Sequence, residues 1–251
     1  MPRTDIAVPK ALTVDAVADI CAKVHGAISD SDTSAVILRG DSGAFCNGLD
    51  FRSFLALEKE SVGTPATEDV TKHAIESFAA CLTALRYSGK PTIALVDGTA
   101  QGGGLGLVAA CDIVVATDRS SFALPELLYG LSPAVVLPFL LERMPRQTVR
   151  TWALSGDSQS GQCAREARLV DELVPEADLE RAGARWVRCL ERAEPTAAKR
   201  LRETIGQISP PYSAEISKAV EATAMALADE GIRRTAREFL ENGIVPWLTR
   251  S

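Results

Sequence analysis

The stretch Asp97-Gly-Thr-Ala-Gln-Gly-Gly-Gly-Leu-Gly106 limits the fold of this chain more than any other. It follows Pro91-Thr-Ile-Ala-Leu-Val96, which reads as a strand buried on both faces. It opens onto the apolar run Leu107-Val-Ala-Ala110. Successive glycines let a backbone approach a ligand where any Cβ would collide. A helix starting near Gly104 would aim its unpaired first N–H groups, and the positive end of its dipole, back at the turn. A phosphate or a developing oxyanion suits such a place. Glycines that merely permit tight helix–strand packing would leave the same pattern.

Three chemistries that use similar turns fit poorly. A dinucleotide site needs G-x-G-x-x-G, and counting from Gly102 puts Leu107 where the third glycine belongs. A nucleotide-phosphate loop ends in Gly-Lys-Ser/Thr, which Gly104-Leu-Gly106 lacks. Gly130-Leu-Ser-Pro-Ala134 is one residue short of a nucleophile elbow, and no histidine follows His73 to complete a Ser–acid–His order. With only His25 and His73 in the chain, a histidine-built metal site is not expected. The six cysteines are dispersed with no C-x-x-C pair and read as reduced. A net charge of −6 argues against general nucleic-acid binding. No apolar run reaches membrane-span length, and Met1–Lys10 carries no signal-peptide pattern, so a cytoplasmic protein is expected.

Periodicity predicts amphipathic helices over 14–28 and 70–87, with strands at 35–38, 91–96 and 112–116. Asp41–Gly48 reads as a loop at a strand end, 51–57 as helical and Glu60–Asp69 as a mobile loop. Beyond Ser160 the pattern is mainly helical: 161–167, 177–194, 196–207, 213–229 and 231–241. Strand–loop–helix units followed by helices mean an α/β core with a helical C-terminal extension.

Gly43-Ala-Phe-Cys-Asn-Gly-Leu-Asp50 closes the first buried strand. Together with the glycine-rich turn it resembles the crotonase (enoyl-CoA hydratase/isomerase) superfamily. Ala110–Ala116, Phe122-Ala-Leu-Pro-Glu126 and Gly130-Leu-Ser-Pro133 continue the match at family spacing over 34–175. The resemblance implies a crotonase-like (ClpP/crotonase) spiral of ββα units over 1–175, its N-terminal hairpin missing, and a helical trimerisation region over 176–251. It also implies an oxyanion hole of two backbone N–H groups, carried over here to Cys46 and Gly103, which would hold an acyl-thioester oxygen as charge develops. Gly48, Gly102 and Gly104 would shape the substrate site. Cys46 as a nucleophile is the rival reading, without a nearby histidine to activate it. Of the two carboxylates usual in the family's hydratases, the first falls on Gly106 and is missing, and the second falls on Glu126. One carboxylate points to α-proton transfer rather than simple water addition. Glu126 could alternatively be an N-terminal helix charge after Pro125.

Glu126–Leu140, Phe45-Cys-Asn-Gly48 and the ending Phe239–Trp247 are similar to the dehydratases of polyketide β-branching. That resemblance implies dehydration of a 3-hydroxy-3-methylglutaryl group on an acyl carrier protein, giving 3-methylglutaconyl thioester. The sister decarboxylases use a lysine and a C-terminal histidine, and no such histidine is present. Other readings are a CoA-linked isomerase or hydratase, the hydratase-like decarboxylase of the same pathway, and a non-catalytic subunit of the same fold. Asn47, His73 and Tyr129 are candidate helpers, each with a structural role as the alternative. No cofactor is expected beyond the phosphopantetheine or CoA of the substrate. Expected partners are a carrier protein, met by Arg146 and Arg150 or by Arg233, Arg234 and Arg237, and further copies in a homotrimer or hexamer.

Overall fold

A strand, a short turn and a second strand recur along the chain, and that repetition builds the core. The computed structural model describes residues 3–40, 43–56, 65–208 and 213–242. Arg3–Ala7 forms β1. Then β2 (Ala35–Arg39) turns into β3 (Ala44–Cys46), β4 (Thr92–Val96) into β5 (Thr99–Gln101), and β6 (Ile113–Thr117) into β7 (Ser121–Ala123). The first strand of each pair joins a five-stranded parallel sheet, β1-β2-β4-β6-β9, with β9 at Glu172–Val174. The second joins a four-stranded sheet, β3-β5-β7-β8, in which only β8 (Gln159–Ser160) runs antiparallel. The chain therefore climbs as a spiral, one strand into each sheet per turn.

The apolar runs follow from burial on both faces. Val36 and Leu38 of β2 enter the main core, while Ile37 between them joins Ile93, Leu95 and Val115 on the opposite face. Helix packing covers both sides. On the main side, α1 (Val14–Ser29) starts at Thr13, whose hydroxyl accepts the Ala16 N–H at 3.1 Å. It buries Val17, Ile20, Cys21, Val24 and Ala27 at helical spacing and packs on α3 (Pro65–Tyr87). The short α2 (Phe51–Ala56) precedes α3. The glycine-rich turn leads into α4 (Gly103–Ala110), which is buried from Gly104 to Ala110 and apolar all round. Next come α5 (Leu137–Arg143), α6 (Arg146–Ser155) and α7 (Gly161–Glu166). The far face of the five-stranded sheet is covered by α8 (Leu179–Leu190) through Ala182 and Val187.

The remaining helices differ in attachment. In α9 (Pro195–Ile208) no residue is buried, yet Arg202 donates twice to the Asp112 carboxylate, at 3.0 and 2.8 Å. By contrast, α10 (Ser213–Ala228) packs on α3 and buries Ile216, Ala219, Val220 and Leu227. Last, α11 (Glu230–Asn242) meets the short 3-10 helix Pro125–Tyr129.

Three expectations change. The polar start of the chain is an edge strand, β1, held parallel to β2 from Arg3↔Ala35 to Ala7↔Arg39. The stretch read as a loop before Gly48 contains β3, and α3 begins at Pro65 rather than near Val70. Of the expected mobile loop, residues 60–64 lie outside the described residues, as does 243–247 of the C-terminal signature. No helix among the described residues is long and apolar enough to cross a membrane.

Candidate active site

Three neighbouring parallel strands each end at the same cavity. Asn47, Gly48 and Leu49 follow β3, Gly102 and Gly103 follow β5, and Pro125 and Glu126 lie just beyond β7. Loops at the carboxyl ends of parallel strands are where open α/β sheets place ligands. All these residues line one cavity of about 120 Å³, whose other walls are mostly apolar, with Phe54, Phe78, Leu131 and Val136 among them. The loops touch closely. A Cβ on Gly48 would stand 2.7 Å from the Gln101 carbonyl oxygen and 3.3 Å from the Gly103 nitrogen, and Gly48 has φ +79°. Both the space and the left-handed backbone require glycine there.

Two amides face this cavity. Gly103 is the first residue of α4, and Gly102 before it offers no side-chain cap, so the Gly103 N–H, at the helix's positive end, has no backbone or capping partner among the described residues. Leu49 is bridged in parallel to Leu12: Leu12 N–H donates to Gly48 O at 2.8 Å and Asp50 N–H to Leu12 O at 3.1 Å. Those bonds point one way, so the Leu49 N–H points the other. It has no backbone partner among the described residues.

Glu126 lies over the glycine-rich turn, its Oε1 3.0 Å from where a Gly102 Cβ would be. Its Oε2 is shut off from solvent and has no hydrogen-bond partner among the described residues. Loss of water raises the carboxyl's pKa to about 7, against a weak opposing hydrogen bond from its own backbone. A carboxylate so tuned is poised to take or give a proton near neutral pH. Tyr129 lines the cavity too, tilted against Phe51 at 4.7 Å and edge-to-face with Phe239 at 5.0 Å between ring centroids. Burial, with Glu126 nearby, raises its phenol pKa.

Three residues expected at the site lie elsewhere. Cys46 is fully buried, pairs in register with Ala100 in the β3–β5 ladder and is absent from the cavity wall. Burial pushes its thiol up to about 11, which removes the thiolate a nucleophile needs. The amide that reaches the cavity from this loop belongs to Leu49. Gly104 is a packing glycine, since a Cβ there would meet the Cys46 Cβ at 2.7 Å. His73 is exposed, on a separate groove with Val14, Val70 and Lys72. Leu49 was legible only as one of several amides in Gly43–Asp50; the bridge to Leu12 singles it out.

A family model for enoyl-CoA hydratase/isomerase matches residues 7–250. The chain belongs to the enoyl-CoA hydratase/isomerase family. Among its relatives is the bacillaene synthase dehydratase PksH of Bacillus subtilis, 28% identical over 233 residues, covering 93% of this chain and 86% of that protein. Another is the mevalonyl-coenzyme A hydratase sidH of Aspergillus fumigatus, 28% identical over 220 residues, covering 84% and 76%. The fold matches the crystal structure of PksH, a polyketide biosynthesis enoyl-CoA hydratase, with a TM-score of 0.83 at 23% identity, over 95% of this chain and 93% of that one.

Gly106 stands where the resemblance implies the first of the hydratases' two carboxylates. A Cβ there would run into Val136 Cγ1 and stand 3.1 Å from Val136 Cβ. Val136, on the cavity wall, occupies the space into which a side chain at 106 would grow. Glu126 is the one acidic residue lining the cavity among the described residues.

Proposed function

We propose that this enzyme is a lyase that dehydrates a 3-hydroxy-3-methylglutaryl thioester on an acyl carrier protein to the 3-methylglutaconyl thioester. The observation that carries the reading is a single carboxylate of raised pKa beside two amides without partners among the described residues, in a mostly apolar cavity. In this reading Leu49 N–H and Gly103 N–H hold the thioester oxygen. Preorganised donors of this kind matter most where charge develops, and losing one commonly costs roughly 10²–10³ in rate. Glu126 takes a proton from C2, giving an enolate whose charge sits between the amides. The enolate re-forms the carbonyl and expels the C3 hydroxyl, and protonated Glu126 returns the proton, so that water leaves and a C2–C3 double bond remains. A single carboxylate can carry both proton transfers of this sequence, taking the proton from C2 and returning it to the leaving hydroxyl.

Two further features support it. One relative is a dehydratase and another a hydratase. Arg233 lines a small space that shares Phe51, Phe54 and Leu227 with the main cavity, so a cation stands close to the site. The carrier protein would dock near Arg146 and Arg150, both exposed on α6. Assembly as a trimer or hexamer would cover the exposed Leu201, Ile205 and Ile208 of α9.

The test is to incubate the enzyme with the 3-hydroxy-3-methylglutaryl group on a carrier protein and on CoA, and to follow the mass of the acyl group. Loss of one water on the carrier, faster than on CoA and abolished in Glu126→Gln, is expected. Loss of water only from the CoA thioester would favour the CoA-linked reading. Subsequent loss of carbon dioxide would assign decarboxylation as well. No turnover on either would leave a non-catalytic role.

A further inference from the structure

The mechanism above leaves one buried hydroxyl in the cavity wall unused. Thr223 sits in the middle of α10 and lines the cavity. Its Oγ1 is closed off from solvent and has no hydrogen-bond partner among the described residues. Helix-borne hydroxyls commonly close on the carbonyl four residues back. Here Thr83 does so to Ala79 at 2.8 Å, Thr151 to Gln147 at 3.0 Å, Thr204 to Arg200 at 2.9 Å, and Ser217, in the same helix as Thr223, to Ser213 at 3.0 Å. Thr223 does not take the equivalent Ala219 carbonyl.

Among the described residues, the unpartnered buried side-chain atoms belonging to the cavity wall are Thr223 Oγ1 and Glu126 Oε2. They come from different elements, on residues that wall one mostly apolar cavity. Buried polar atoms are nearly always paired, so two orphans on the wall of one cavity mark where a polar ligand completes the bonding. Glu126 is assigned to the proton at C2. No Lys or Arg lines this cavity among the described residues, so a fixed negative charge beside Thr223 would be uncompensated. A neutral hydroxyl on the acyl chain is the group that fits.

We propose that Thr223 Oγ1 binds the oxygen on C3 of the acyl chain, so that the cavity selects 3-hydroxyacyl thioesters over their 3-deoxy counterparts. The inference rests on the thioester carbonyl lying between the Leu49 and Gly103 amides. Sites built to hydrogen-bond a substrate hydroxyl discriminate strongly against analogues lacking it, because the site's own polar group is then stranded.

Binding without turnover tests this separately from the dehydration. The probes are amides of aminopantetheine carrying either a 3-hydroxy-3-methylbutyryl or a 3-methylbutyryl group, titrated by calorimetry. The native enzyme should prefer the hydroxylated amide by roughly tenfold, the scale of one hydrogen bond. Thr223→Ser should keep that preference. Thr223→Val, nearly equal in volume, should erase it while binding the 3-deoxy amide as well as the native enzyme does. A native enzyme without preference, a Thr223→Val variant that retains it, or failure of the hydroxylated amide to bind the native enzyme overturns the assignment. Turnover is not read, so absence of dehydration would sink the proposed reaction and leave this result standing.

Discussion

Glu126 keeps a carboxylate in a place where charge is costly, and its pH behaviour follows. In the folded protein the group holds its proton up to about 7, whereas an unfolded glutamate releases it near 4.3. Between those values the folded state binds a proton that the unfolded state has lost. Stability from this group therefore falls as pH rises through that window, and the full penalty applies above it. Glu126→Gln should stabilise the protein by on the order of 1–3 kcal/mol at pH 8 and by almost nothing near pH 4, read from denaturant midpoints. Activity should run the opposite way in the native enzyme, with kcat/KM climbing to a plateau above about pH 7 as the base form fills. Gly106 gives a second test. Gly106→Ala should cost about 1–3 kcal/mol through collision with Val136, and Val136→Ala in the same chain should recover part of that loss. Equal thermal stability of the single variant and the native chain would contradict this.

At the scale of elements, α9 is the weakly held one. It buries no residue, and its tie to the core is the Arg202–Asp112 pair. Asp112 also accepts the Thr92 N–H at 2.7 Å, so the pair anchors α9 to the start of β4. Arg202→Ala should speed amide exchange across 195–208 while leaving β2, β4 and β6 protected. Uniform loss of protection across the whole chain would refute local release. Long elements were legible in the sequence for the reason that makes them stable: α1 and the strands β2, β4 and β6 carry enough apolar residues to show a period or a run. The short strands β3, β5 and β7 were not, because three residues carry no period. Arg3–Ala7 was missed because an edge strand with one buried residue, Ile6, reads as polar. The glycine turn and Glu126 were visible as a motif. The choice of Leu49 over Cys46, and the exclusion of Gly104 and His73 from the cavity, depended on a bridge, a ladder and a helix face that no local pattern records.

For the whole molecule, the two sheets and their helices enclose the cavity within one chain, yet α9 turns Leu201, Ile205 and Ile208 outward, the last 80% exposed. Their spacing of four and three residues forms one stripe. If this stripe is an assembly surface, light scattering should report a multiple of the 26.7 kDa chain. Changing the three residues to lysine should then give the single-chain mass without loss of helical signal. A native protein already at single-chain mass would remove α9 from that role.

The spiral has a consequence for how the site is measured out. Its amides and its carboxylate hang from the ends of β3, β5 and β7, which are neighbours in one sheet. Adjacent strands lie about 4.8 Å apart, so the backbone ladder serves as a ruler: it sets the gap between the two amides, and places the Glu126 carboxylate one division further along. Side chains can then drift while the graduations of that ruler stay put.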